Sequence, residues 1–62
     1  MPSVQDIPTD LLKREKAGEF VAWLVDLPLD TPTRIAIMRI WEAETDHRLT
    51  TAQYQLIRAG TR

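Results

Sequence analysis

Apolar side chains recur along this chain at the three- and four-residue spacing of an α-helix. One set falls at positions i, i+3, i+4 and i+7 and shares a helical face: Phe20, Trp23, Leu24 and Leu27. A helix-start signal, Ile7-Pro8-Thr9-Asp10, precedes this set, and Pro28 disfavours a helical conformation at Leu27. We therefore predict a first helix over residues 9–27. Gly18 lies inside it and is either tolerated or divides it into two helices.

A second helix is predicted over residues 32–47. Asp30 or Thr31 can cap its start, and Pro32 suits the first helical turn. Residues 35–38 are rich in β-branched side chains, so a strand is the competing prediction there. Helix is favoured because polar residues recur further along at spacings of three and four: Arg39, Glu42 and Asp46.

The third helix has the most complete start signal in the chain. Thr50 can serve as the N-cap, and the Gln53 side chain can return a hydrogen bond to the Thr50 amide, which closes a capping box. Leu49 and Tyr54 occupy the two positions of a hydrophobic staple around this box. Gly60 suits the C-terminal end. These signals predict a helix over residues 51–59, behind a tight corner.

The three elements together predict an all-α fold: a small bundle of three helices, or of four if Gly18 breaks the first. A chain of 62 residues has room for one domain, which we assign to residues 1–62. Residues 1–7 show no periodicity and are expected to form an extended N-terminal arm. The chain has no cysteine and one histidine, so packing and partners, rather than disulfides or zinc, must stabilise it.

Charge and hydropathy exclude several classes of protein. The formal net charge is −1, from eight Lys and Arg against nine Asp and Glu, which is not typical of a polybasic protein. Residues 1–30 hold three cations and six acids, whereas residues 31–62 hold five arginines and three acids. An anionic partner is therefore compatible with the second half.

No apolar run reaches the ~18 residues of a membrane span, and no signal peptide is recognisable. We expect a soluble cytoplasmic protein that does not bind membranes.

Few residues suit catalysis. His47 is the best candidate for acid–base chemistry near neutral pH, although its place at a helix end beside Asp46 explains it structurally. Asp26 and Asp30 flank a proline turn, and turn and cap roles account for both. The chain has no glycine-rich phosphate loop. The sequence therefore predicts a non-enzymatic protein with no catalytic, metal-binding or cofactor-binding residue.

The distribution of apolar residues gives a prediction of how the protein acts. Between Ile35 and Trp41 only Arg39 is polar, so apolar side chains emerge on nearly every side of that segment. A compact core with a few exposed apolar residues is the competing interpretation. We favour a partner surface, because a domain this small builds little core. The predicted contact residues are Ile35, Ile37, Met38 and Trp41, with Trp23 assigned to the core.

The predicted function is accordingly a small helical protein–protein interaction module. Adaptors, accessory subunits and proteins of phages or other mobile elements share this profile, and the sequence does not choose among them. The partner is another protein or a second copy of the chain in a homo-oligomer.

DNA binding by a helix-turn-helix is the alternative hypothesis. The second and third helices meet at a tight corner, and the helix over residues 51–59 would enter the major groove. Glutamine can pair with adenine and arginine with guanine, and the residues in position are Arg48, Thr51, Gln55 and Arg58. Residues 49–57 also resemble a helix opening in MarR-type winged-helix regulators. That resemblance covers nine of 62 residues and assigns no functional residue.

Overall fold

Residues 3–60, which the computed structural model describes, form three α-helices preceded by three 3-10 turns, without a strand among them. The helices are α1 (Ala17–Val25), α2 (Thr31–Thr45) and α3 (Thr51–Ala59). The 3-10 turns are Val4–Asp6, Thr9–Leu11 and Arg14–Lys16. Helix α3 contacts both α1 and α2. The predicted all-α bundle of three helices is confirmed.

The first α-helix begins at Ala17, later than the sequence predicted, and 3-10 turns take the place of its first part. Extending α1 backwards would carry its core-facing stripe to Lys13 and Arg14 and would rotate Leu12 away. The chain avoids this conflict by adopting an extended conformation at Lys13 (φ −141°, ψ 139°). Leu12 then packs against the core, while Lys13 and Arg14 are exposed. Gly18 lies within α1 and does not break it.

The expectation of an extended arm over residues 1–7 is wrong for the residues that the structure describes. Val4–Asp6 form a 3-10 turn, in which the Ser3 amide donates to Asp6 Oδ2 at 2.8 Å. Ile7 follows and is 3% exposed, so it belongs to the hydrophobic core. A single buried apolar residue creates no periodicity, which is why the sequence pattern gave no sign of it.

Both later helix starts match their sequence signals. Asp30 caps α2, because its Oδ1 accepts from the Thr33 amide at 3.2 Å. Hydrogen bonds from the side chain and backbone of Thr33 lower the pKa of the Asp30 carboxyl. At α3, Thr50 Oγ1 accepts from the Gln53 amide at 3.1 Å, and Gln53 Oε1 accepts from the Thr50 amide at 3.0 Å. The predicted capping box is therefore present.

Helix α2 runs without interruption through residues 35–38, so the competing strand prediction is wrong. The helix ends at Thr45, slightly before the predicted end, because Asp46 adopts the left-handed conformation (φ 51°, ψ 43°). Asp46 donates its amide to the Glu42 carbonyl and stops the helix there. Aspartate tolerates this conformation better than most residues.

The core is centred on two aromatic rings from different helices. Phe20 of α1 and Trp41 of α2 are both 0% exposed, and their rings stack at 4.9 Å between centroids with an interplanar angle of 10°. The Trp41 Nε1–H donates to the Leu11 carbonyl, which ties the N-terminal segment to α2. Within residues 3–60, the buried apolar residues of the core are Ile7, Phe20, Val21, Leu24, Val25, Ile37, Met38, Trp41 and Ile57.

Candidate functional site

The residues predicted to bind a protein partner lie mostly inside the molecule. Ile37, Met38 and Trp41 are 4%, 3% and 0% exposed, and Ile35 is half-buried. The predicted interface role of Trp41 is therefore wrong, whereas Trp23, which was assigned to the core, is half-buried and packs against it. Three of the four predicted contact residues are thus core residues, and that prediction is wrong for them.

The bundle covers the segment over residues 35–41 without a partner because elements from both directions along the chain pack around it. The first 3-10 turn and α3 both contact α2, and the aromatic stack reaches it from α1. The accessible surface is 4212 Å². A folded monomer of this mass is expected to expose about 4,100 Å². Ile37, Met38 and Trp41 are therefore buried by other elements of the same molecule.

The four residues of the DNA-binding hypothesis have the opposite placement. All are exposed: Arg48, Thr51, Gln55 and Arg58. Three of them follow one another along α3 at i, i+4 and i+7, so they share one side of that helix. The remaining one, Arg48, lies in the corner between α2 and α3.

Helix α3 contributes little to the core for its length. Ile57 is its one buried side chain, with Gln53 and Tyr54 half-buried beside it. Leu56 is 45% exposed and is the one exposed large hydrophobic side chain within residues 3–60. We call the outward residues of α3 and its corner the α3 surface: Arg48, Thr51, Ala52, Gln55, Leu56, Arg58 and Ala59.

A buried arginine that sequence reasoning did not single out fixes the far end of α3. Arg34 is 8% exposed; its Nε donates to the Ile57 carbonyl at 2.8 Å, and Nη2 reaches the Arg58 carbonyl at 3.4 Å. The same guanidinium donates to the Leu29 carbonyl and, at 3.0 Å, to Thr31 Oγ1. A cation is favourable at a helix C-terminus. Arg34 therefore joins α3 to the start of α2 and the loop before it.

Gly60 gives room for this contact. Its φ is +66°, and a Cβ at this position would lie 2.9 Å from Arg34 Nη2. Glycine therefore satisfies two requirements at once, a left-handed backbone and a close approach by the guanidinium. The sequence showed that glycine ends the helix, but it carried no signal that a distant arginine would pack against it.

A cleft of about 320 Å³ lies between α2, the corner and the start of α3. Its lining residues are Met38, Arg39, Glu42, Arg48, Leu49, Thr50, Thr51 and Tyr54. Arg39 and Arg48 are exposed, and neither forms an ion pair with a carboxylate in the described part of the chain. Glu42 Oε2 accepts from the Leu49 amide at 3.0 Å. With two arginines and one carboxylate, the cleft carries a net positive charge.

The residues considered for catalysis contribute to packing or lie at the ends of helices. His47 packs edge-on against Trp41, with 5.9 Å between ring centroids and an angle of 82°. Asp30 caps α2, and Asp26 follows the last residue of α1.

Residues 3–60 contain no group of three or more His, Cys, Asp or Glu side chains that could hold a metal ion. Within the same range, no helix has the length and hydropathy required to cross a membrane.

Comparison with protein-family models, with curated proteins and with solved structures finds no match to this chain. The short similarity of residues 49–57 to a MarR-type helix opening is thus not extended by any family match. Function must be inferred from the surfaces and clefts that the fold creates.

Proposed function

We propose that this protein is a non-enzymatic binding module and that the α3 surface is its contact surface. The observation that carries the proposal is the separation of charge along the chain. Asp46 is the last acidic residue, and residues 47–62 contain three arginines and no Asp or Glu. Residues 1–46 hold five Lys and Arg against nine Asp and Glu. Residues 47–60 therefore carry the exposed Arg48 and Arg58 without an acidic side chain, on a protein whose net charge is −1, and the α3 surface suits an anionic partner.

Duplex DNA is the anionic partner that the geometry favours. Residues 46–50 alone separate α2 from α3, which is compatible with a helix-turn-helix arrangement, although the corner has no glycine. Along α3, Gln55 and Arg58 are exposed side chains that suit bidentate pairing with base edges. Arg48 and Arg39 flank the start of the same helix, where cations would meet backbone phosphates.

A protein partner is the second candidate function, and Leu56 is the observation that favours it. Leu56 lies between Ala52 and Ala59 on α3 at i+4 and i+7 spacing, and all three are exposed. This short apolar strip would dock into a groove on another protein, and the neighbouring arginines would favour an acidic rim. A second copy of the chain is the self-associating form of the same proposal. It would bury little area, because α3 has nine residues.

The test is fluorescence anisotropy of a labelled mixed-sequence duplex, titrated with the protein at several salt concentrations. For DNA binding we expect log affinity to fall linearly with log salt, with a slope of about −0.9 for each phosphate neutralised. Arg58→Gln should weaken binding. Lys13→Gln, which removes one exposed positive charge far from α3 in sequence, is the matched control and should change little.

Two outcomes would decide between the candidates. No duplex binding at low salt (about 50 mM), where electrostatic attraction is strongest, would overturn the DNA proposal. Sedimentation of the chain over a range of concentrations tests self-association against a monomer mass of 7.1 kDa. If the mass increases with concentration and Leu56→Gln restores the monomer, the protein-binding candidate replaces the DNA-binding one.

A further inference from the structure

The cleft between α2 and α3 has features that the contact surface alone does not explain. Arg39 comes from the middle of α2 and Arg48 from the corner, yet both line the same concavity of about 320 Å³. Its volume is at the lower end of the range of small-ligand sites. The arginines lack carboxylate partners within residues 3–60, so their charges are not neutralised by the protein there.

We infer that this cleft is a binding site for a phosphate group. Arginine is suited to this ligand because its planar guanidinium donates two parallel hydrogen bonds to phosphate oxygens. Thr51 and Tyr54 also line the cleft, and each carries a hydroxyl group of a kind that can donate to a phosphate oxygen. Recognition by two guanidinium groups and neutral hydroxyls favours a tetrahedral anion over a neutral ligand.

Glu42 is the one acidic residue in the lining and opposes an anion there. Its Oε2 atom accepts the Leu49 amide hydrogen bond at 3.0 Å, which fixes the carboxylate to the corner. The negative charge lowers the affinity of the cleft for phosphate without cancelling the two arginines. Substitution of Glu42 by glutamine keeps an oxygen acceptor for Leu49 and removes the charge, so it gives a gain-of-binding variant.

This inference rests on the proposed function only for the source of the phosphate. A phosphodiester in the backbone of duplex DNA and a free phosphate ion present the same chemistry to the cleft. In a complex with DNA, Arg39 and Arg48 would hold the backbone beside the start of α3 and fix how the helix enters the groove. For a free ion, the cleft would act independently of the rest of the α3 surface.

The first experiment uses inorganic phosphate and the intact chain, observed by proton–nitrogen NMR. We expect saturable shifts of the amides around the cleft, from Arg48 to Tyr54, and of Arg39. Arg39→Gln and Arg48→Gln should each weaken binding roughly two- to fivefold, the range for exposed charge pairs. Glu42→Gln should strengthen it by a similar factor. Lys13→Gln, the charge-matched control, should leave the affinity unchanged.

The second experiment repeats the duplex titration with the same variants. If the cleft holds a backbone phosphate, Arg39→Gln should make the salt slope less negative by about 0.9. One pair of results would overturn the cleft inference and leave the DNA proposal standing. Arg39→Gln and Arg48→Gln would bind the duplex with the salt slope of the parent chain, and the amide shifts of the parent chain would not saturate up to about 50 mM phosphate.

The remaining outcomes separate the two proposals in the other direction. Saturable phosphate binding that responds to Arg39→Gln, without any duplex binding, would support the cleft as a free-phosphate site and overturn the DNA proposal. Failure of both probes would overturn both. The helical circular dichroism of each variant is measured first; the affected side chains are exposed or half-buried, so it should match the parent chain.

Discussion

Arg34 and Arg14 each donate to carbonyl groups at the C-terminal end of a helix, one inside the molecule and the other on its surface. Arg34 is 8% exposed and contacts the end of α3 at distances down to 2.8 Å. Arg14 is exposed, and its Nη2 lies 3.5 Å from the Thr45 carbonyl and 3.4 Å from the Asp46 carbonyl at the end of α2. The chemistry is shared, but the contacts of Arg14 are exposed, whereas those of Arg34 are buried or part-buried.

This difference shows how the two ends of the bundle are held. Where Arg34 contacts the end of α3, its guanidinium donates to the buried Ile57 carbonyl, so loss of the side chain leaves that carbonyl without its partner. At the Arg14 junction, water can replace the guanidinium. Trp41 also ties the N-terminal segment to α2, because its Nε1–H donates to the Leu11 carbonyl, and its ring stacks on Phe20 of α1.

The largest effect is expected from Trp41, which ties the N-terminal segment to α2. Trp41→Ala removes a fully buried ring and should cost about 3–5 kcal/mol of unfolding free energy. A domain of this size has a total stability of only roughly 3–9 kcal/mol. We expect most of the helical circular dichroism at 25 °C to be lost. Trp23→Ala, at a half-buried position, is the control and should leave a folded protein. A folded Trp41→Ala variant would contradict the core assignment.

The second prediction breaks the Arg34 junction. Arg34→Ala removes charge-assisted hydrogen bonds to the buried Ile57 carbonyl and the part-buried Leu29 carbonyl, so we expect the free energy of unfolding in urea to fall by about 2–3 kcal/mol. Amide hydrogen exchange should rise most in α3, whose one buried side chain is Ile57. Gly60→Ala should act in the same direction, because its Cβ would displace the guanidinium. Equal loss of protection in α2 and α3 would mean that Arg34 stabilises the whole bundle instead.

The smallest effect is expected from Arg14, whose contacts lie on the surface. Arg14→Ala removes two long hydrogen bonds to exposed carbonyls and should change the free energy of unfolding by less than about 0.5 kcal/mol. The measurement is the same urea titration, repeated at high salt, which should leave even less difference between variant and parent. A cost as large as that of Arg34→Ala would remove the contrast between the two arginines.

The sequence was most informative where a signal is local. The capping box of Thr50 and Gln53 occurs as predicted, and α3 has the predicted limits, because the atoms involved are three residues apart. Asp30 caps α2 for the same reason. The first helix was less predictable, because continuing it upstream would have put Lys13 towards the core. That conflict was visible only once the core-facing side of α1 was known.

The candidate sites also divide into those predicted by local spacing and those that depend on tertiary packing. Local spacing placed Thr51, Gln55 and Arg58 on one side of α3, and they are exposed. The prediction that Ile37, Met38 and Trp41 form a partner surface was wrong, because an apolar pattern does not tell whether the cover comes from another molecule or from a distant segment. Here the cover comes from the N-terminal turns, α1 and α3.

By itself, the sequence determined the all-α class, the caps of α2 and α3, and the concentration of arginine without acid after Asp46. These depend on contacts within one helical turn or on composition. The tertiary structure alone decided that Ile7 and Trp41 belong to the core, that Arg34 holds the end of α3, and that Arg39 shares a cleft with Arg48. Each of these joins residues from different elements of the fold, and their proximity depends on how those elements pack.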